Sequence, residues 1–201
     1  MGVLKDFDLE QLIERYGCRA FVETGTGAGE GVAYAASCGF ELIYSVEIMH
    51  GLALAVALRF AKDQRITIIH GKSESGLKEA VQEIPPSMPV VFWLDAHYPG
   101  VDYRIGAPKA EKNETVRLPL ERELRLLASL RDLSSDVVLI DDLRIYEDGP
   151  YEKGPCPLDR QPRPENRHVR YVDEILGATH VIERSYRETD YLSALPIGGK
   201  V

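Results

Sequence analysis

Phe21-Val-Glu-Thr-Gly-Thr-Gly-Ala-Gly-Glu30 is followed, at the end of the next apolar run, by Ser45-Val46-Glu47. The apolar residues feed into a turn containing Gly25, Thr26, Gly27 and Gly29. Without Cβ atoms, the glycines let backbone amides approach a ligand closely and let the chain adopt φ > 0. A helix is expected to begin near Gly29. Glu47 lies twenty residues beyond Gly27. At that separation one strand, one helix and a second strand bring a carboxylate round to accept hydrogen bonds from ribose hydroxyls. The pattern predicts a site for a nucleoside-bearing ligand.

The glycine register narrows the nucleoside. A dinucleotide fingerprint needs glycine at the first, third and sixth loop positions, and counting from Gly25 the sixth is Glu30. A carboxylate there opposes a pyrophosphate. Glu23 before the turn and Glu30 after it suit a ligand with a cationic end, and S-adenosylmethionine, with its sulfonium and amino group, has one. Glu23 is placed to meet that amino group. Glu-Thr-Gly-Thr-Gly-Ala-Gly followed by Val-Glu resembles the first two motifs of class I S-adenosylmethionine-dependent methyltransferases. The resemblance implies cofactor binding by Gly25, Thr26, Gly27, Gly29 and Glu47. It also implies that Ser73, with Glu74 second, lies against adenine. Ser73 or Ser75 before acidic residues equally suits a plain helix cap.

The 201 residues, 44% of them hydrophobic, suffice for one domain over 1–201 with an adequate core. A formal charge of −8 argues against nucleic acid as the main partner. Cys18, Cys38 and Cys156 are widely spaced and odd in number, which points to reduced thiols and a cytoplasmic setting. No signal-peptide pattern and no apolar run of roughly 20 residues is present, so no membrane association is expected. A homo-oligomer is compatible with this composition.

Hydrophobic patterning gives βαβα order. Strands are expected at Ala20–Glu23, Leu42–Glu47, Ile66–His70, Val90–Asp95 and Val137–Asp141. Between them lie helical patterns at Gly29–Ser37, Gly51–Ala61, Ser75–Glu83 and Leu118–Leu130, after an amphipathic helix over Asp8–Tyr16 that makes 1–18 a helical cap. A further helix over Arg167–Leu176 precedes two strands, His180–Tyr186 and Tyr191–Leu195, spaced as a hairpin. The fold class is therefore α/β: a Rossmann-like, doubly wound, mostly parallel sheet of seven strands with a C-terminal antiparallel hairpin. This resembles the methyltransferase sheet. Two long connections, 96–117 and 147–166, leave carboxyl ends of strands and are expected to wall an acceptor site.

The fourth strand runs into Asp95-Ala96-His97-Tyr98 and the fifth into Asp141-Asp142. Carboxylates gathered this closely need a cation or a proton. A divalent ion, Mg²⁺ for example, held by Asp95, Asp141 and Asp142 answers that need, with His97 as general base or additional ligand. The spacing resembles metal-dependent O-methyltransferases, particularly the macrocin type, and more loosely catechol O-methyltransferase, where the second member of the pair is Asn. The resemblance implies catalytic roles for Asp95 and His97 and a small-molecule hydroxyl as acceptor. Asp95 would also contact the cofactor. A metal-free methyltransferase, a non-catalytic binding module of the same fold and a metal-dependent hydrolase are the alternatives. Tyr98 and Tyr103 are minor candidates for the acceptor pocket, while Phe92 and Trp93 are expected in the core.

Overall fold

Side chains along a strand point alternately to its two faces, so a strand buried on both sides must feed two cores. In the computed structural model, β1 (Ala20–Thr24), β4 (Val90–Leu94) and β5 (Val137–Ile140) do so. Ala20, Val22, Val90, Phe92, Leu94, Val138 and Ile140 enter one core, while Phe21, Val91, Trp93, Val137 and Leu139 enter the other. The structure describes residues 4–101, 103 and 111–199. Residues 1–3 and 200–201 of the expected domain and helical cap, and 102 and 104–110 of the first long connection, lie outside the described residues.

The sheet is completed by β2 (Leu42–Glu47), β3 (Ile66–His70), β6 (His180–Arg184) and β7 (Leu192–Pro196), in the order β3-β2-β1-β4-β5-β7-β6. The first five strands pair in parallel, and β7 runs antiparallel between β5 and β6. The expected seven-stranded sheet with its terminal hairpin is present. α1 (Leu9–Tyr16), α2 (Glu30–Ser37) and α3 (His50–Phe60) cover one face. α4 (Ser73–Glu83), α5 (Glu114–Arg117), α6 (Leu120–Leu130), α7 (Leu143–Tyr146) and α8 (Arg170–Leu176) follow in chain order, and α4, α6 and α8 line the opposite core. None of the described helices is long and apolar enough to cross a membrane.

Boundaries moved where local chemistry overrode periodicity. α6 starts at Leu120 because Pro119 is its cap, and the residue before a proline is driven out of helical geometry: Leu118 has φ −140° and ψ 76°. α4 starts at Ser73, two residues early, with Lys72 as its extended cap residue. Ser75 does not cap it; its hydroxyl donates to the Lys72 carbonyl at 2.8 Å. The chain winds from β1 out to β3 and then returns to β4. The carboxyl tips of β1 and β4 therefore flank the crevice where open α/β sheets bind ligands.

Candidate active site

The glycine turn is shaped by its neighbours. Gly25 has φ +86°, and a Cβ there would lie 2.7 Å from the Asp95 carbonyl oxygen, so this position brings the tips of β1 and β4 into contact. Gly25 and Thr26 donate backbone N–H bonds to the Val46 carbonyl at 2.9 and 3.2 Å, tying the turn to β2. Gly29, with φ +77°, is the cap residue of α2. Glu47, at the tip of β2, accepts from the Gly27 amide at 2.9 Å and the Met49 amide at 2.7 Å. The carboxylate predicted to meet a ribose is thus fixed beside the turn.

Glu23 lies beneath the turn, 2% exposed, and accepts from the Ser45 hydroxyl at 2.6 Å. The Ser45 and Thr26 hydroxyls are 2.5 Å apart. Burial pushes the Glu23 carboxyl up to about 8 against the Ser45 bond, and Asp95 and Glu47 add to the rise. Gly31, which sequence reading passed over, is packed against it: a Cβ at Gly31 would collide with the Glu23 carboxylate. A glycine within the first turn of an otherwise ordinary helix is the available signal.

A cavity of about 510 Å³ opens above these groups, and Glu23, Gly27, Glu47, Ser73, Asp95 and His97 are among its lining residues. Glu74 is turned away from it and pairs with Arg122 of α6. Tyr98 and Tyr103 also line the cavity, and the Tyr103 hydroxyl accepts from the Ala28 amide at 2.6 Å. Trp93 is core, as expected, and also lines the cavity.

Beside the turn the tips of β4 and β5 converge. His97 Nε2 is 2.9 Å from Asp142 Oδ2, and its Nδ1 is 3.3 Å from Asp95 Oδ1 and 3.1 Å from the Asp95 carbonyl. Burial works to lower the His97 pKa, but the bonds and charges of Asp142 and Asp95 outweigh it and hold the imidazole well above its ordinary value. The same pairing draws Asp142 below the usual carboxylate range against its own burial. Asp142 has φ +49° as the cap residue of α7, a conformation that aims its carboxylate back at His97.

Among the described residues, Asp95, His97 and Asp142 form a group whose ligand atoms lie within 4.8 Å of one another. Two carboxylate oxygens and one imidazole nitrogen suit a divalent cation. Asp141 is placed differently: it is 7% exposed and accepts the Asp142 amide at 2.9 Å. Burial, with Asp95 and Asp142 nearby, raises it well above the ordinary range. The structure thus gathers Asp95, Asp142 and His97, with Asp141 behind them.

The two long connections meet each other. The Asn166 amide and the Arg163 backbone N–H donate to Glu114 at 2.6 and 3.3 Å, and Arg117 reaches the Gln161 carbonyl at 3.5 Å. The Tyr98 amide donates to the Arg117 carbonyl at 3.0 Å, joining this latch to the residue after His97.

No protein-family model matches this chain, and no curated protein does. Solved structures do resemble it. An O-methyltransferase from Bacillus cereus in complex with SAH shares 13% identity over 98% of this chain and 82% of its own, with a TM-score of 0.61. TomG, an O-methyltransferase from Streptomyces achromogenes involved in tomaymycin synthesis and solved with SAM, shares 18% identity over 94% and 78%, with a TM-score of 0.57. A candidate rRNA methylase from Clostridium thermocellum shares 13% identity over 98% of both chains, with a TM-score of 0.59. The chain has the fold of S-adenosylmethionine-dependent methyltransferases.

Proposed function

We propose that this protein transfers a methyl group from S-adenosylmethionine to a small-molecule hydroxyl. The observation carrying this reading is a single cavity lined both by the glycine turn and Glu47 and by Asp95 and His97, with Asp142 held against His97. The first set suits a nucleoside with a cationic tail; the second suits an acceptor oxygen that must lose a proton. In the reaction an O–C bond forms as the C–S bond of the sulfonium breaks in line, and the hydroxyl proton passes to the cluster. Catalysis rests mainly on holding nucleophile and methyl group together away from water. The acidic balance of the chain favours a small acceptor over nucleic acid.

Asp95, His97 and Asp142 are the residues that would hold a divalent ion, which would offset their charge and make an adjoining hydroxyl easier to deprotonate. The His97 geometry also supports a metal-free reading. A protonated imidazole between two carboxylates supplies the missing positive charge itself. Asp95 then becomes the proton acceptor, and Asp142 holds His97 in place.

Calorimetric titration with S-adenosylmethionine, with and without Mg²⁺ and with NAD as control, tests both layers. Saturable binding of the methyl donor and none of NAD is the expected result, and absence of donor binding would sink the proposal. Heat from Mg²⁺ together with chelator-sensitive turnover selects the metal-assisted form. Turnover indifferent to chelator selects the metal-free one.

A further inference from the structure

Glu123 on α6 is 1% exposed, yet among the described residues neither of its carboxylate oxygens makes a hydrogen bond of ordinary geometry. Among the described residues the Thr24 hydroxyl at the end of β1 is likewise buried without a hydrogen bond of ordinary geometry. A carboxyl group left so is expensive unless nearby donors turn toward it. Burial raises Glu123 to about 7, while the hydroxyls of Ser73 and Thr24 pull the other way. Glu74 from α4 and Asp95 after β4 add repulsion, and the phenols of Tyr146 on α7 and Tyr171 on α8 sense its charge. Arg122, next along the helix, is committed to Glu74. Ser73 and Thr24 are therefore the groups able to serve this acid.

Ser73 lines the cavity, whereas Glu123 lies behind it. With the glycine turn at the tip of β1 and Glu47 at the tip of β2, a nucleoside whose ribose meets Glu47 extends its base toward Ser73, beyond the tip of β3. A serine hydroxyl has one hydrogen. If that hydrogen points inward, only lone pairs face the ligand.

We propose that Glu123 is a positioning residue that draws the Ser73 hydroxyl hydrogen inward, so that Ser73 selects a base bearing an exocyclic amino group over one bearing a carbonyl at that position. This rests on the donor reading above. A site arranged to accept from an amine opposes a carbonyl with another acceptor, and such mismatches discriminate strongly.

The test is calorimetry at pH 8 with S-adenosylhomocysteine and S-inosylhomocysteine, on the wild type and on Glu123→Gln, Glu123→Leu and Ser73→Ala. The wild type should prefer the adenosyl compound by about tenfold or more. Glu123→Gln, whose amide can donate to Ser73 and turn its hydroxyl outward, should shrink that ratio about tenfold with the inosyl compound bound no more weakly. Glu123→Leu should also lower the ratio while melting no lower than the wild type, since an unpaired buried acid is gone. Ser73→Ala should lose the preference and melt somewhat lower, since Glu123 loses a donor. An unchanged ratio, or equal weakening of both ligands, would overturn the proposal. A wild type binding neither compound would remove the donor reading itself, and this inference with it.

Discussion

Glu47 and His97 illustrate two ways in which a single residue is prepared. Glu47 is anchored by two backbone amides beside the glycine turn. Glu47→Ala should weaken S-adenosylhomocysteine binding at least tenfold, since hydrogen bonds to a charged group are each worth about 1.5–3 kcal/mol. Glu47→Gln, which keeps one acceptor oxygen, should lose less; calorimetry checks both. His97 is prepared by charge. Its raised pKa means that the ring stays protonated as pH climbs past the ordinary histidine range. Asp142→Asn removes the partner at 2.9 Å, so His97 should release its proton at lower pH, as followed by NMR titration of the ring. Glu47 was legible from spacing alone because strand, helix and strand have nearly fixed lengths. Glu123 was not, because an acid within an amphipathic helix normally faces water and only tertiary packing buries it.

Among the elements, the turn between β1 and α2 is the least forgiving. Gly25→Ala would place a methyl group against the Asp95 carbonyl in a left-handed conformation. It should destabilise the protein by about 2 kcal/mol or more in urea unfolding and displace Asp95 as well. The latch between the two long connections belongs to the same scale. Glu114→Ala should speed proteolytic cutting within 147–166 while shifting global unfolding by less than about 1 kcal/mol, a local opening that limited proteolysis reads directly. Regular elements were readable from the sequence because each long strand and helix repeats its apolar signal over several residues. α5 and α7 were not, since four residues make scarcely one turn and carry no period. The latch was equally hidden: Glu114 and Asn166 are 52 residues apart and meet only once the sheet brings both connections to one edge.

At the scale of the molecule, several buried acids are held above their ordinary pKa: Asp136 at about 6, Glu123 at about 7 and Glu23 at about 8, each mainly by burial. Asp136 keeps its rise despite an ion pair with Arg131 at 2.8 Å. A raised acid binds protons more tightly folded than unfolded, so its contribution to stability is whole below the unfolded value. That contribution is lost as pH rises through the folded one. Thermal melting should therefore fall between pH 6 and pH 8, by a stability change on the order of 3 kcal/mol, and Glu23→Gln combined with Glu123→Gln should flatten the slope.

The joined connections also bear on how such a molecule would be re-engineered. The segment carrying Glu114 and Arg117 and the segment carrying Gln161, Arg163 and Asn166 share one hydrogen-bonded seam. Transplanting either segment alone from another protein would leave unmatched hydrogen-bonding groups at the seam. A chimera should keep that seam intact only when both pieces travel together, so two segments far apart in the chain behave as one inherited unit.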